Sequence, residues 1–268
     1  MIRLLAVDVD GTLVGDDLTI SPAVKEAVRK AMARGVVVTI ASGRMYPSTV
    51  PYARELGLGD VPLICYNGAL VRTAASGKTW FHRPLDPDLA VLIGEIARRH
   101  GWHLHAYVND VLHAPSLDDA TAMYVRIARV MPVVGDVQKV LPEGPTKLLI
   151  VHDPAGMPAV KAQLVKDLGP RVEAVNITLS LPAFLEMMDH RVSKGLALAR
   201  VASALGFQAS EVMAVGDSEN DLAMLTWAGM GVAMGNAAPS VKSSAQATTG
   251  TVDEDGLAQA IERFILDQ

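Results

Sequence analysis

Ile2-Arg3-Leu4-Leu5-Ala6-Val7-Asp8-Val9-Asp10-Gly11-Thr12 runs a mainly apolar segment straight into two carboxylates. Ile2 to Val7 reads as a buried strand, and Asp8 and Asp10 stand where it ends. Side chains alternate along a strand, so residues two apart turn to the same side. Both acids therefore point into one space, and Gly11 lets the chain turn away beneath a ligand. Two neighbouring carboxylates repel unless a proton or a cation separates them. Hard cations take oxygen ligands, which makes a metal the expected partner.

Outward from this edge the chain alternates strand and helix. Ser21-Pro22 is an N-cap followed by proline at the first helical position, and Val24, Ala27, Val28, Ala31 and Met32 keep helical spacing up to Gly35. Val36 to Ala41 is a second buried strand, stopping at Ser42-Gly43-Arg44. A helix over 47–56 and a third strand over 63–66 follow. That order predicts a parallel sheet with helices on its faces. The rhythm then changes. A hairpin around Ser76-Gly77 leads to a helix capped by Asp86-Pro87 and to an alternating strand over 102–108. Next come a helix over 118–130, a strand over 147–151, a helix over 155–168 and short strands over 172–175 and 184–188. The first rhythm resumes with a helix over 194–205, a strand over 212–215 and a last helix over 256–266. The fold class expected is α/β, with a Rossmann-like parallel-sheet core over 1–82 and 190–268 and an inserted α/β cap over 83–189.

The chain has 268 residues, a size that suits two units. Half of them are hydrophobic and 20% are charged, so buried cores are affordable in both. A net charge of -5 argues against general nucleic-acid binding. Cys65 is the only cysteine, which excludes a disulfide and a thiolate metal cage and fits a reducing compartment. Asp8 and Asp10 break the apolar start too early for a signal segment, and no apolar run reaches the roughly 18 residues of a membrane span. A cytoplasmic protein without nucleic-acid or membrane partners, monomer or homodimer, is expected.

Ligands of open parallel sheets bind outside the carboxyl ends of the strands. Three such ends carry polar loops: Asp8 to Thr12, Ser42-Gly43-Arg44, and Gly216-Asp217-Ser218-Glu219-Asn220-Asp221. Val192-Ser193-Lys194-Gly195 opens a helix just before the last of these strands. Folding would bring acids from both ends of the chain to one rim beside a lysine and a serine. Asp8, Asp10, Asp217 and Asp221 around Lys194 carry a formal charge of -3, which calls for a divalent cation.

With these motifs in this order, the chain resembles the haloacid dehalogenase superfamily of aspartate-dependent phosphatases. The insert and the segments Asn67-Gly68-Ala69 and Val232-Ala233-Met234-Gly235-Asn236-Ala237 resemble its Cof-like subfamily. The resemblance implies that Asp8 attacks phosphorus and becomes an aspartyl-phosphate. Asp10 would then act as acid and base. Mg²⁺ would be held by the Asp8 carboxylate, the Asp10 backbone carbonyl and Asp217, with Asp221 ligating it or orienting its waters. Lys194 would offset the negative charge, and Ser42, Gly43, Asn220 and the N–H groups after Asp8 would hold the phosphoryl oxygens. The substrate implied is a small phosphorylated metabolite such as a sugar phosphate. A phosphotransferase or mutase on the same scaffold, or a non-catalytic phosphometabolite-binding protein, is the alternative.

Other signals have plainer readings. A calcium loop would need glutamate where Thr19 stands. Ser76-Gly77-Lys78-Thr79 imitates a P-loop, but the leading glycine falls on Arg72. His100, His103 and His105 lack a fourth ligand for zinc. Met187-Met188 reads as packing, and Glu186 and Asp189 as hinge or solvated residues. Arg44 has two readings, reaching a substrate or pairing outward. His103, His105, Tyr107 and Asn109 are expected on an exposed cap strand, facing substrate or solvent.

Overall fold

A computed structural model describes residues 1–267. They form two compact units, Met1–Phe81 with the residues from Ser193 onward, and His82–Val192. The first part of the chain forms β1 (Leu4–Val7), α1 (Pro22–Ala33), β2 (Val37–Ile40), α2 (Tyr46–Glu55), β3 (Pro62–Cys65), β4 (Leu70–Thr73) and β5 (Thr79–His82). The second unit holds α3 (Pro87–His100), β6 (His103–Val108), β7 (Val111–Ala114), α4 (Asp119–Ala128) and β8 (Val133–Val134). It continues with β9 (Lys147–Val151), α5 (Met157–Leu168), β10 (Val175–Leu181) and β11 (Phe184–Asp189). The chain then returns with α6 (Lys194–Ala204), β12 (Val212–Gly216), α7 (Leu222–Trp227), β13 (Met230–Ala233), α8 (Pro239–Ser244), β14 (Ala247–Thr248) and α9 (Gly256–Ile261).

The first unit is built on a five-stranded sheet in the order β14-β13-β12-β1-β2, paired in parallel throughout. Leu4, Leu5 and Ala6 of β1 are wholly buried, as a strand covered on both faces requires. Val7 is level with Ile40 on one side and Val215 on the other. This register makes three strands end together, so the loops that follow leave from one edge. Helix α1 starts where expected: Ser21 Oγ accepts the Val24 N–H at 3.1 Å, and Val24, Ala27, Val28 and Ala31 are buried. A cluster with Leu4, Ala6, Val201, Val212 and Ala214 at its centre joins α6 and α7 to the sheet.

Strand β3 departs from the expected parallel sheet. It lies antiparallel to β4 in a separate sheet of β3, β4 and β5, and touches the end of β2 through a single parallel bridge, Ala41 to Ile64. The Ser76-Gly77 turn joins β4 to β5 as expected of a hairpin. Strands β13 and β14 carry too little apolar periodicity to stand out, the first holding Gly231 and the second only two residues.

In the second unit the sheet order is β10-β11-β9-β6-β7-β8. One face packs on α3 and α5 through Leu104, Ala106, Leu148, Ile150, Leu185 and Met187. The other bears His105, Tyr107 and Phe184, against which Tyr124 of α4 packs edge-on at 5.7, 5.9 and 5.5 Å between ring centroids. Two expectations change here. The strand placed at 172–175 begins only at Val175, because Gly169-Pro170 starts a short 3-10 turn. The strand expected to be exposed is interior: β6 lies between β9 and β7, and His105 and Tyr107 are fully buried, while Asn109 is exposed in the turn beyond. Among the described residues no helix is long and apolar enough to cross a membrane.

Candidate active site

The level strand ends deliver Asp8 after β1, Ser42 two residues beyond β2, and Asp217 after β12. Ser193 caps α6 by accepting the Leu196 N–H at 3.1 Å, which makes Lys194 the first residue of that helix. Its Nζ donates to Asp8 Oδ1 at 2.6 Å and to Asp221 Oδ1 at 2.7 Å. Lysine and both acids are buried. Asp221 turns its other oxygen to the N–H groups of Asp217 and Ser218, each at 3.1 Å. Both its oxygens are thus engaged, and it shapes the loop that presents Asp217.

Carboxylate oxygens of Asp8, Asp217 and Asp221 lie within 4.8 Å of one another, the one such group of potential metal ligands among the described residues. Gly11 makes this approach possible. Its φ is 76°, and a Cβ there would collide with the Asp217 carboxylate. Thr12 is buried with its hydroxyl 3.5 Å from Asp217 Oδ1. Asn236 donates to the Gly11 carbonyl at 2.9 Å and to Asp217 Oδ2 at 3.3 Å. Neither was assigned a contact with Asp217 from sequence, although Thr12 belongs to the opening motif and Asn236 to a segment that carried the resemblance.

Burial, and then the charge of Asp221, push the Asp8 carboxyl well above the usual carboxylate range, against the pull of Lys194. The same two causes, in the same order, raise Asp217 to about 6. Burial works against the Lys194 ammonium, but Asp221 and Asp8 outweigh it and hold the proton more tightly than in water. These acids resist ionising together. A proton or a cation would relieve them.

Arg44 forms an ion pair, but not the outward one that one sequence reading gave it. Its side chain is only 7% exposed and turns inward, gripping Asp10 with Nε on Oδ2 at 2.8 Å and Nη2 on Oδ1 at 2.6 Å. Nη1 donates to Ser48 Oγ at 3.3 Å, and the guanidinium stands 5.5 Å from the Tyr52 ring centroid. A two-pronged contact fixes the orientation of a carboxylate as a single bond cannot. It also revises the charge count. Four carboxylates now face two cations, Lys194 and Arg44, for a formal -2 rather than -3. One divalent ion brings the cluster to neutrality.

The donor set fits such an ion: oxygens only, on acids whose ionisation the fold opposes without it. Asp8 and Asp217 are the carboxylates best placed to hold it, with Asp221 behind them. Beside the acids, Ser42 Oγ accepts the Arg44 N–H at 3.1 Å, leaving its own hydrogen to donate. Gly43 follows it in the loop, and Asn220 Nδ2 donates to Asn67 Oδ1 at 3.0 Å. The sequence-picked residues of the first unit therefore sit on the loops of one sheet edge, with Lys194 at the start of α6 beside them. Those picked in the second unit do not form a comparable group. His103 and His105 share the Thr121 hydroxyl at 2.9 and 3.1 Å, and burial holds His105 down to about 3, a neutral ring. Glu186, read from sequence as solvated or hinge, is buried and paired with Lys147 at 2.8 Å.

A parallel α/β sheet with acids and a lysine gathered at its carboxyl edge has the layout of a phosphoryl-transfer enzyme. Comparison with known proteins gives the family. The haloacid dehalogenase-like hydrolases match over residues 5–261. The 5-amino-6-(5-phospho-D-ribitylamino)uracil phosphatases YitU and YcsE of Bacillus subtilis are 31% and 32% identical, the matches covering 97% and 99% of this chain and 97% and 96% of theirs. A haloacid dehalogenase-like hydrolase from Bacteroides thetaiotaomicron superposes with a TM-score of 0.90 at 31% identity, over 99% of this chain and all of the other. This chain belongs to the haloacid dehalogenase-like hydrolases. It is a phosphatase acting on phosphorylated substrates. Hydrolases of this family generally use a divalent metal, and an acidic group able to hold one is present.

Proposed function

We propose that the protein is a Mg²⁺-dependent phosphatase of small phosphorylated metabolites, sugar phosphates foremost, working through an aspartyl-phosphate on Asp8. The observation that carries the reading is the buried Lys194 bridging Asp8 and Asp221 with Asp217 alongside. An Asp8 oxygen attacks phosphorus, the bond from phosphorus to the leaving oxygen breaks, and Asp10 gives that oxygen its proton. Asp10 then takes a proton from water as the water attacks phosphorus, the bond to Asp8 breaks, and inorganic phosphate leaves. Lys194 offsets charge on the Asp8 side, while Ser42, the backbone at Gly43 and Asn220 hold phosphoryl oxygens. Arg44 keeps Asp10 in one orientation. Asp8, the Asp10 carbonyl and Asp217 would hold Mg²⁺, with Asp221 orienting its waters, and the ion when bound offsets negative charge on the phosphoryl group.

The unit over 82–192 is assigned the choice of leaving group. The substrates for which YitU and YcsE are named put a phosphorylated ribityl chain among the candidates. The test is phosphate release with Mg²⁺ across sugar phosphates, phosphoglycolate, flavin mononucleotide, pyridoxal phosphate and 5-amino-6-(5-phospho-D-ribitylamino)uracil. Release from at least one, with phosphate trapped on Asp8 after acid quench, is expected. Isomerised product without free phosphate would instead establish a mutase. Turnover undiminished in Asp8→Asn would remove Asp8 from its role.

A further inference from the structure

Strand β3 runs into three successive residues of positive φ, Tyr66 at 50°, Asn67 at 52° and Gly68 at 98°. Glycine adopts such values freely, whereas a tyrosine there costs on the order of 1–2 kcal/mol. The surroundings hold the turn in place. Tyr66 N–H donates to the Arg44 carbonyl at 2.9 Å, Asn67 N–H to the Ser42 carbonyl at 3.0 Å, and Ser42 N–H to the Ile64 carbonyl at 2.8 Å. The turn is thereby tied to the Ser42-Gly43-Arg44 loop on both sides of its serine.

From this anchored backbone the Asn67 side chain, 4% exposed, reaches the loop after β12 and accepts the Asn220 Nδ2–H. Asn67 thus links two loops that lie 153 residues apart in sequence. Gly43 makes room for it, since a Cβ at that position would stand 3.0 Å from Asn67 Oδ1. A carboxamide nitrogen carries two hydrogens. Fixing one on Asn67 fixes the direction of the other. Asn220 Oδ1 is buried with no hydrogen-bond partner among the described residues. The side chain is therefore held at one corner only, and its second N–H is left to donate to a ligand oxygen.

We infer that Asn67 is a positioning residue for phosphoryl binding, aiming the Asn220 carboxamide at a phosphoryl oxygen beside Ser42. The inference rests on the assignment of Asn220 and Ser42 to the phosphoryl group made under the proposed function. Nothing in it requires Asn67 to touch the substrate.

Asn67→Gly tests it cleanly, because glycine keeps the left-handed backbone and removes only the carboxamide. Inorganic phosphate, measured as a competitive inhibitor with Mg²⁺ present, should bind at least about 10-fold more weakly to this variant and to Asn220→Ala, as loss of one charge-assisted hydrogen bond implies. Adding Asn67→Gly to Asn220→Ala should cost less than about twofold more, because the first acts through the second. Gly43→Ala, which sets a methyl group against Asn67 Oδ1, should weaken phosphate in the same sense and lose that effect in the Asn220→Ala background. It carries the test should Asn67→Gly not fold. Unchanged phosphate affinity in Asn67→Gly, or an undiminished loss in the double variant, overturns the inference. Unchanged affinity in Asn220→Ala overturns instead the reading of Asn220 on which it rests.

Discussion

Lys194 in the first unit and Lys147 in the second are both 1% exposed, and their surroundings differ in one respect. Lys147 donates to Glu186 Oε1 at 2.8 Å and stands 4.8 Å from the Tyr107 ring centroid, so one cation meets one anion under aromatic cover. Burial opposes its charge, and Glu186 together with Tyr124 more than restores it. Lys194 meets two carboxylates directly, with Asp217 close by and Asp10 held separately by Arg44. The first arrangement is closed and asks for nothing further. The second keeps an excess of negative charge at a sheet edge, which a bound divalent cation would offset. Buried charge marks a reactive site when its sum is left open, and a structural strut when it closes.

The largest difference between the two should appear on removing charge. Asp8→Asn should lower phosphate release by more than about a thousandfold, as loss of a nucleophile does. The metal-free protein should meanwhile melt at a higher temperature, because one of the repelling acids is gone. A melting point that falls would show that the Lys194 contact to Asp8 outweighs the repulsion among the acids.

In the second unit the order of effects reverses. Lys147→Met should destabilise the protein by about 3–5 kcal/mol in urea unfolding, since it strands a buried carboxylate, and adding Glu186→Leu should recover most of that loss. A double variant no better than the single would mean that the pair does more than balance itself.

Arg44→Lys keeps the charge and loses the two-pronged grip. It should cut kcat/KM for alkyl phosphates about tenfold, and for 4-nitrophenyl phosphate far less, since that leaving group needs no proton. Equal losses on both esters would place Arg44 on the phosphoryl group rather than on Asp10.

The smallest effect is on pH dependence. A carboxyl raised in the folded state adds stability below its unfolded value near 3.8 and loses it as pH rises through the folded value, about 6 for Asp217. Without metal, the melting temperature of the parent relative to that of Asp217→Asn should therefore fall between pH 5 and pH 7. Saturating Mg²⁺ should raise the parent at pH 7 and leave Asp217→Asn nearly unmoved. A difference between parent and variant that does not change with pH would contradict the assigned shift.

The first unit was legible in sequence where local chemistry and burial agree. Asp8, Ser42 and Asp217 each follow a short run of apolar residues, and a parallel register leaves such residues only one edge to occupy. Lys194 was legible only within Val192-Ser193-Lys194-Gly195 and beside the other motifs, since a lysine alone reads as solvated. Arg44 was readable as polar and near the site, but its direction depends on Asp10, 34 positions away, and no local spacing reports that. Asn67 was legible only as part of a familiar segment, since its partner lies on the far loop. Strand β3 was recognised as a strand but given the wrong neighbours, because its apolar run does not say whether β2 or β4 will pair with it. The second unit was less legible still. Alternation correctly grouped His103, His105 and Tyr107 on one face of β6, but it could not foresee that α4 would cover that face. Glu186 looked solvated because its lysine is 39 residues away.

Calorimetric titration of inorganic phosphate into the protein, once with Mg²⁺ and once after thorough chelation, tests the open charge sum most directly. Binding should be measurable with the ion and undetectable without it, and Asp217→Asn should behave as the chelated protein does even when Mg²⁺ is supplied. Phosphate binding of equal strength in the presence and absence of divalent cation would contradict the account.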